Sequence, residues 1–451
     1  MIDKIIERQN TAQIKKSLNE KFITALIGPR QVGKSTLLER LLVKEDTLFL
    51  NFDSGEVRQK VLLQESWIQE QLEQKIKAPL SKLQKKLTLY IDEVQKLPES
   101  FEILKQLYDQ FHPKLKIIIS GSSSLLIKKH SAESLAGRIR YFYMQPFTFE
   151  EASRLEDLKK DEGPDSQVQE WLENLLEGKF SEKMGRKIES DKRFIKQSFA
   201  RKMEEWCLWG LLPGRLHLKD EENRLLYLRD YIDTYIEKDM RATERIGSLN
   251  DYRKLTRLMG GKLGDLINYS NIASTLGIHR QTVKEYLNLL DESLLAYRLS
   301  SYSESIFKQI TKSEKNYFID NGLAYYFADL KPLDILRASG EMGHLYENLI
   351  LSEFKKQATL LPVPLHFFYW RQSGHSPAEV DLILSYRGNI LPIEIKGMSK
   401  VDGSDLKGLK IFATTLNEKK KQILYSLVIY PGDFHYDKQE KIFFIPDWFF
   451  S

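Results

Sequence analysis

Eight consecutive residues near the N-terminus have the types and the spacing that bind phosphate groups. They match the pattern G-x-x-x-x-G-K-[ST]. Glycines allow backbone N–H groups to turn toward phosphate oxygens, and a helix that begins near Lys34 points its positive end at the same anion. We expect Lys34 to reach the β- and γ-phosphates of ATP and the hydroxyl of Ser35 to bind magnesium. The predicted loop consists of Gly28, Pro29, Arg30, Gln31, Val32, Gly33, Lys34, Ser35 and Thr36.

A second pattern, an apolar run that ends in two carboxylates, supports a nucleotide site. The run Leu89-Tyr90-Ile91 is followed directly by Asp92 and Glu93. Buried acids are costly unless they are paired or bind a metal. We expect Asp92 to hold magnesium through water and Glu93 to polarise the attacking water. The alternative is an acidic strand end that faces solvent.

Small polar residues follow another apolar run, in the sequence KIIISGSSS at residues 116–124. Ligands bind at the carboxyl ends of the strands in open α/β sheets, so Ser120 or Ser122 is expected to contact the γ-phosphate or the catalytic water. Further along the chain, Arg138 or Arg140 is a candidate arginine finger that reaches a neighbouring subunit. The alternative for each arginine is an ordinary surface position.

The elements that must position these residues are short strands alternating with helices. Apolar runs rich in β-branched and aromatic residues suit a parallel sheet that is buried on both faces. Helical stretches between the runs are typical of βαβ units. The predicted strands are residues 22–28, 47–52, 87–92, 116–121 and 139–144.

The order of these motifs resembles that of AAA+ ATPases. More closely, GPRQVGKST, YIDEVQ, SGSSS and SLAGR look like a bacterial and archaeal group that joins an AAA-type ATPase to a C-terminal domain of unknown function. The resemblance covers nearly the whole chain. It implies ATP binding, ATP hydrolysis and assembly into a homo-oligomer, and it leaves the biological role open.

A cluster of charged residues lies near the C-terminus, on a predicted strand–turn–strand hairpin. Glu379 and Asp381 share one face of the first strand, and Glu394 and Lys396 share one face of the second. Glu347 lies upstream in a helical stretch. A helix acid, a strand acid and E-x-K on the next strand resemble the PD-(D/E)xK nuclease fold, although the residue before Asp381 is not the nominal proline.

The nuclease resemblance implies a role for each of these residues. Asp381 and Glu394 would bind magnesium, Lys396 would orient or deprotonate the attacking water, and Glu347 would complete the shell. Two alternatives stay open. The carboxylates are surface charges on an ordinary hairpin, or the fold is nuclease-like but inactive and serves as a binding or regulatory module.

Residues 271–290 have the spacing of a helix-turn-helix. Ala273 is small where two helices would cross, Gly277 suits the turn, and Val283 is an apolar anchor on the second helix. The run LLAYRLSSY at residues 294–302 suits a wing strand. The module either contacts DNA or serves as a packing module. Outward-facing candidates for DNA contact are Arg280, Gln281, Thr282 and Lys284.

Composition and charge narrow the class of protein. The 451 residues include 42% hydrophobic and 29% charged side chains, which is typical of a folded chain. The net charge of +5 is too small to indicate a nucleic-acid partner by itself. A single cysteine, Cys207, allows no intramolecular disulfide, and its apolar neighbours favour packing over a catalytic thiol.

The sequence indicates no signal peptide and no apolar run long enough for a membrane span, so we expect a cytoplasmic protein with no membrane partner. An acidic stretch at residues 151–178 is followed by a basic stretch at residues 179–202. These stretches are solvated helix faces, or the basic one lies along a phosphate backbone.

Taken together, the motifs predict a multidomain α/β protein. The predicted domains are an AAA+-like P-loop ATPase core at residues 1–150, a helical region at 151–250, a winged-helix-like module at 251–305 and a nuclease-like domain at 306–451. The predicted function is an ATPase that couples ATP to DNA binding or to metal-dependent DNA cleavage. The alternatives are an ATP-switched DNA- or protein-binding module whose nuclease-like domain is inactive, and a signalling ATPase that acts through protein contacts.

Overall fold

A computed structural model of the chain describes residues 5–159, 166–240, 245–303, 305, 307, 309, 312–374, 376–418 and 423–451. Part of the acidic stretch (residues 160–165), part of the predicted helical region (241–244) and the predicted domain boundary at residue 306 lie outside the described residues. The described chain forms two compact units. The P-loop unit comprises Arg8–Gln145 and Glu292–Leu294, and the C-terminal unit comprises the rest.

The P-loop unit is built on a five-stranded parallel sheet in the order β2-β3-β4-β1-β5. Each apolar run that was predicted as a strand forms one. The strands are β1 (Ile23–Ile27), β2 (Thr47–Asn51), β3 (Leu87–Asp92), β4 (Leu115–Gly121) and β5 (Ile139–Tyr143). The helices are α1 (Thr11–Leu18), α2 (Lys34–Leu41), α3 (Gly55–Leu63), α4 (Trp67–Ile76), α5 (Ser100–Phe111) and α6 (Ser124–Ser134).

The central strands of this sheet are mostly apolar, as is typical of a parallel sheet that helices cover on both faces. Every residue of β1 and of β4 is buried, whereas the edge strands β2 and β5 are partly exposed. All five strands run in the same direction, so their carboxyl ends lie along one edge of the sheet. The loop after β1, the acids that end β3 and the serines that follow β4 therefore lie along that edge.

The helices that follow residue 146 are mostly amphipathic and enclose an aromatic core. Phe149 stacks on Trp206, and Trp171 and Phe450 pack edge to face. The helices are α7 (Phe149–Leu155), α8 (Ser166–Leu176), α9 (Glu182–Lys192), α10 (Lys196–Trp209), α11 (Pro213–Leu216), α12 (Glu221–Thr234) with a π-helical extension (Tyr235–Met240), α13 (Leu249–Gly260), α14 (Tyr269–Leu276), α15 (Arg280–Glu292), α16 (Asn321–Phe327), α17 (Leu333–Ser339), α18 (Glu341–Ala358) and α19 (Lys407–Glu418).

The C-terminal unit contains an eight-stranded mixed sheet in the order β12-β13-β11-β10-β9-β8-β6-β7. The predicted hairpin is confirmed, since β9 and β10 pair antiparallel and Tyr386 faces Asn389 beside the turn. The strands are β6 (Ala296–Ser301), β7 (Lys315–Phe318), β8 (His366–Gln372), β9 (Ala378–Tyr386), β10 (Asn389–Ile395), β11 (Ser426–Tyr430), β12 (His435–Asp437) and β13 (Ile442–Pro446).

The strand predicted as a wing has two partners. β6 pairs antiparallel with β7, as a wing strand would, and it also pairs parallel with β8 through Ser300 and Ser301. The strand that follows the two helices α14 and α15 is therefore an internal strand of the large sheet.

Two expectations about individual segments can be compared with the structure. Cys207 is 1% exposed, and burial raises the pKa of its thiol, which fits a packing role. Within the described part of the chain, no helix combines the length and the apolar character that crossing a bilayer requires.

Candidate functional site

The loop after β1 closes tightly around the side chain of Lys34. The ammonium of Lys34, which is 6% exposed, donates to the carbonyl oxygens of Gly28 and Pro29, both at 2.8 Å. Gly33 has φ +93°, a left-handed conformation that favours glycine, and it caps α2 at its first residue. A Cβ on Gly28 would lie 2.1 Å from the carbonyl oxygen of Met144, so only glycine fits there.

Asp92 accepts hydrogen bonds from three sides. Ser35 Oγ donates to its Oδ2 at 2.9 Å, although 57 residues separate the two in sequence. The hydroxyl of Ser120 donates to Oδ1, and the backbone N–H of Glu93 reaches the same oxygen at 3.0 Å. Tyr90 lies behind, with its hydroxyl 3.0 Å from Ser120 Oγ. Ser120 is fully buried and contacts Asp92, so it orients this carboxylate.

Glu93 is held by two polar side chains that converge on one of its oxygens. Its backbone is left-handed, with φ 54° and ψ 42°, an uncommon conformation for a residue other than glycine. Gln95 Nε2 donates to Glu93 Oε2 at 2.5 Å, and Ser122 Oγ donates to the same atom at 3.2 Å. The two serines predicted at this edge thus serve different acids, Ser120 next to Asp92 and Ser122 next to Glu93.

Arg8 contacts the loop and was not predicted from the sequence. This arginine is 7% exposed, and it donates to the carbonyl oxygens of Val32 and Gln145, both at 2.7 Å. One of its nitrogens lies 4.0 Å from the position of a Cβ on Gly33. No local motif marks Arg8, because its partners lie 24 and 137 residues away.

The two candidate arginine fingers are both paired within the chain. Arg138 makes two hydrogen bonds to Asp109, from Nε at 2.7 Å and from NH2 at 2.9 Å. Arg140 pairs with Glu20, and its guanidinium lies 4.7 Å from the centre of the Phe22 ring. Both arginines lie at the edge strand β5 or next to it, and both are partly exposed.

The sheet order, the loop and the residues around it define the fold of a P-loop NTPase. Magnesium prefers oxygen ligands, and the chain places a hydroxyl and a carboxylate, those of Ser35 and Asp92, side by side at the carboxyl edge of the sheet. These two side chains fit a magnesium ion bound with a nucleotide.

In the C-terminal unit, the structure brings the predicted acids together around a lysine that was not predicted. Lys315, the first residue of β7, is 4% exposed. Its ammonium contacts Glu379 and lies 3.8 Å from Glu347 Oε1. Tyr317 donates to the same oxygen of Glu347 at 2.6 Å. Glu347 is therefore bonded to residues of β7.

The position of Glu347 follows from its neighbour on α18. Asn348, which is fully buried, accepts a hydrogen bond from the backbone N–H of Phe318 at 2.8 Å and donates to its carbonyl oxygen at 3.0 Å. These two hydrogen bonds hold α18 against β7, so Glu347 faces Tyr317. The contacts span about thirty residues of sequence and are not visible in any short motif.

Asp381 and Glu394 lie close to each other on the paired strands β9 and β10. The backbone N–H of Ile395 donates to Asp381 Oδ2 at 2.8 Å. Burial, and then the charges of Glu394 and Glu347, raise the pKa of Asp381 well above its ordinary value. Burial raises the pKa of Glu394 to about 7, against the opposing charge of Lys396. Two carboxyls with raised pKa values share one buried space.

Lys396 links this pair to a further acid. Its ammonium lies 2.9 Å from Glu394 Oε1 and 3.5 Å from Asp405 Oδ1, and these acids raise the pKa of Lys396 although burial lowers it. The other oxygen of Glu394, Oε2, is buried and makes no hydrogen bond. A buried carboxylate oxygen without a donor is costly and suits a bound cation.

A metal ion at this place would have two protein carboxylates. Across the described ranges, no group of three or more His, Cys, Asp or Glu side chains is arranged to hold a metal ion. Asp381 and Glu394, with the unpaired oxygen of Glu394, fit a divalent cation. Glu347, predicted as a third member of the shell, accepts a hydrogen bond from Tyr317 and forms an ion pair with Lys315.

The helix-turn-helix candidate is formed by α14 and α15. Gly277 caps α14 with φ +67°, Ala273 is buried, and Val283 is fully buried. At the start of α15, Arg280, Gln281 and Lys284 are exposed and Thr282 is half-buried. Three of the four predicted contact residues therefore face solvent.

Comparison with family models divides the chain into three parts. Residues 20–153 match a model described as AAA domain, which supports ATP binding and hydrolysis by the P-loop unit. Residues 200–334 match a domain of unknown function (DUF8612), and residues 342–450 match another (DUF4143). The match to an AAA domain is thus followed by matches to domains of unknown function, an order that the resemblance in the sequence implied.

Similar proteins cover most of the chain at low identity. An uncharacterised protein of Mycobacterium tuberculosis is 24% identical over 443 residues, which are 98% of this chain and 84% of that protein. An uncharacterised protein of Haemophilus influenzae is 23% identical, over 71% of this chain and 72% of its own length. A third, from Methanocaldococcus jannaschii, is 22% identical, over 80% of this chain and 72% of its own length.

Solved structures match only loosely. The Pif1 helicase from Candida albicans covers 41% of this chain and 47% of its own, with a TM-score of 0.22 and 13% identity. PCH-2 of C. elegans covers 37% of this chain and 44% of its own, with a TM-score of 0.22 and 14% identity.

Proposed function

We propose that the chain binds ATP with magnesium at the loop after β1 and hydrolyses the terminal phosphate. The observation that carries the proposal is the 2.9 Å hydrogen bond from Ser35 to Asp92, made at the mouth of the loop that surrounds Lys34. A hydroxyl from the loop and an acid from the neighbouring strand are the pair that a nucleotide-bound magnesium requires. The match of residues 20–153 to an AAA domain supports the same proposal.

Each residue has one task in this proposal. Lys34 exchanges the carbonyl oxygens of Gly28 and Pro29 for phosphate oxygens, which leaves its buried positive charge better compensated. The backbone N–H groups at the start of α2 bind the same phosphates. Glu93, oriented by Gln95 and Ser122, accepts a hydrogen bond from the attacking water. Magnesium at Ser35 and Asp92 would neutralise part of the phosphate charge.

Assembly into a homo-oligomer is part of the proposal. An arginine that stabilises the transferring phosphate comes in such assemblies from a neighbouring subunit. Arg138 would first have to leave Asp109, and Arg140 would have to leave Glu20. Both ion pairs are partly exposed to solvent and therefore weak, so neither prevents an arginine from acting between subunits.

Two variants test the ATPase proposal. Lys34→Ala should lose binding of a fluorescent magnesium–ATP analogue, whereas Glu93→Gln should bind it normally and turn over at least a hundredfold slower. Lys60→Ala is a matched control, because Lys60 is an exposed lysine of the same unit that pairs with Glu56 along its helix. Normal turnover in both Lys34→Ala and Glu93→Gln would refute the assignment.

We also propose a second activity, metal-dependent cleavage of a phosphodiester, for the C-terminal unit. The observation that favours it is the buried, unbonded Oε2 of Glu394 beside Asp381. Asp381 and Glu394 would hold the divalent cation. Lys396, next to both acids, would orient the attacking water or take its proton. The exposed start of α15 would bring DNA to the protein.

Plasmid nicking by the purified full chain tests this second activity. With magnesium or manganese the wild type should convert supercoiled to nicked plasmid, and Asp381→Ala should abolish nicking without changing ATP turnover. Glu440→Ala is the control, because Glu440 is an acid of the same unit that pairs with Lys410. If the wild type cuts no substrate with any metal, the C-terminal unit is an inactive nuclease-like module that binds DNA or protein under the control of ATP.

A further inference from the structure

The cluster of acids in the C-terminal unit is built around Lys315. This lysine faces four carboxylates, since it contacts Glu379, lies 3.8 Å from Glu347 and interacts electrostatically with Asp381 and Glu394. Its ammonium also lies 5.6 Å from the centre of the Tyr369 ring. Burial lowers the pKa of Lys315, but the surrounding acids outweigh burial and raise it, so the lysine is charged.

The charges of this cluster do not balance. Glu347, Glu379, Asp381, Glu394 and Asp405 bring five acidic groups, and Lys315, Lys396 and Arg371 bring three cations. Arg371 adds a distant contact, with its Nε 3.6 Å from Glu379 Oε2. The deficit falls beside Asp381 and Glu394, where one buried oxygen of Glu394 has no hydrogen-bond donor. One divalent cation would make up the two missing positive charges.

Lys315 divides the acids into two sets. Glu347 and Glu379 pair with it, whereas Asp381 accepts from the backbone N–H of Ile395 and Glu394 pairs with Lys396, with one oxygen of Glu394 unbonded. The pairing of Glu347 and Glu379 with Lys315 leaves Asp381 and Glu394 as the acids of this cluster that are available to a metal ion, and among the described residues no group of three or more His, Cys, Asp or Glu side chains is arranged to hold one.

We propose that Lys315 acts as a tethered cation that sets how tightly the C-terminal cluster binds a divalent metal. By holding Glu347 and Glu379, it limits the metal to two protein carboxylates and repels the incoming cation. Lys315 is thus a positioning residue, and the inference rests on the metal site proposed above. It does not depend on whether that site cuts DNA.

Removal of the charge at Lys315 should change both the stability of the metal-free protein and its affinity for a metal ion. Replacement of this buried lysine by methionine removes the cation that pairs with both Glu347 and Glu379 and leaves Glu379 with the more distant Arg371, so the metal-free fold becomes less stable. A metal then meets more negative charge and a third available carboxylate, and it binds more tightly. Arginine at the same position keeps the charge and should behave like lysine.

The experiment is a titration of Mn²⁺ into the 451-residue chain. Calorimetry measures the affinity, and the rise in melting temperature measures the stabilisation by the metal. We expect Lys315→Met to bind Mn²⁺ at least tenfold more tightly than the wild type and to gain more in melting temperature from the metal. Lys315→Arg should match the wild type. Lys410→Met is the matched control, because it removes an equal charge from an exposed ion pair of the same unit. If Lys315→Met does not fold without metal, Lys315→Gln replaces it, with the same expected direction.

Different outcomes separate this inference from the metal site itself. Equal or weaker Mn²⁺ binding by Lys315→Met, in a wild type that binds Mn²⁺, overturns the role of Lys315 and leaves the site standing. No binding by the wild type or by any variant overturns both. The additional substitution Asp381→Ala should remove the gain of Lys315→Met, and a gain that survives it places the metal elsewhere and overturns the inference.

Discussion

Gln95 and Glu93 share a 2.5 Å hydrogen bond from the amide nitrogen of the glutamine to Oε2 of the glutamate. Gln95 is 9% exposed, and its own carbonyl oxygen is so close to Gly121 that a Cβ there would lie 2.0 Å from it. The glutamine is thus packed in place, and it fixes the direction in which the carboxylate of Glu93 points.

Loss of this hydrogen bond should slow the chemical step more than it affects ATP binding. We expect Gln95→Ala to reduce kcat for ATP hydrolysis by roughly 10- to 100-fold, because a catalytic group that is displaced by about 1 Å loses that much. KM should stay nearly unchanged, since the side chain of Gln95 donates its hydrogen bonds to Glu93 and Ser122. Steady-state kinetics measures both, with the exposed Gln74→Ala as the control. An unchanged kcat would contradict the positioning role.

Two glycines of the P-loop unit should differ in what they tolerate. Gly28→Ala should destabilise the unit by about 3 kcal/mol or more and abolish ATP binding, because its Cβ would meet backbone atoms of Met144. Gly137→Ala should cost only about 1 kcal/mol, because Gly137 has φ +74° but open space around it. Thermal melting with and without magnesium–ATP compares them. Equal losses would show that space is not the constraint at Gly28.

A buried acid of the C-terminal unit should make stability depend on pH. Glu353 is fully buried, and burial raises its pKa to about 7, although Lys356 and two hydrogen bonds favour its charged form. In the unfolded chain this carboxyl ionises near its ordinary pKa of 4.5. Between those two values the folded protein holds a proton that the unfolded chain has released. Stability from this group is therefore largest below the lower value and is lost as the pH rises to about 7.

The neutral variant of this acid gives the measurement. Glu353→Gln cannot ionise, so its melting temperature relative to the wild type should rise between pH 5 and pH 8. Glu285→Gln, on the exposed face of α15, should show no such trend. A difference from the wild type that stays constant across this range would show that Glu353 titrates normally.

The exposed start of α15 should matter for DNA binding and its salt dependence. We expect the double substitution of Arg280 and Lys284 by alanine to lower the affinity for duplex DNA and to reduce the slope of log K against log salt by about 2, one for each lost phosphate contact. Fluorescence anisotropy at several salt concentrations measures the slope, with Lys410→Ala as control. If DNA binds equally well to the variant, the two helices serve as a packing module.

The sequence was most informative where the chemistry is local. The eight residues from Gly28 to Ser35 are contiguous, and their strand–loop–helix setting is also local, so both the loop and the five strands of its sheet were predicted correctly. The β9–β10 hairpin was equally accessible, because an alternating pattern flanks a short turn. Residues that lie at short, regular spacing on one helix or strand form a pattern that is visible in the sequence.

Contacts between segments that are distant in the sequence could not be predicted from local patterns. Arg8 meets the phosphate loop, and Lys315 meets Glu347 and Glu379, only because the sheets bring these segments together. Neither residue lies in a motif, and each is one of many arginines or lysines in the chain. The pairing of β6 with β8 depends likewise on the order of strands in the finished sheet.

The pairing of β6 with both β7 and β8 determines where the chain can be divided into fragments. A fragment that ends at residue 305 would carry β6 away from β8 and leave Phe368 and Tyr369 with a bare sheet edge, which invites aggregation. A shorter fragment that keeps α14 and α15 but ends before Ala296 would leave β6 and β8 together in the rest of the chain. Truncated or grafted fragments of this protein should therefore end before β6 rather than at the end of the helix-turn-helix motif with its predicted wing.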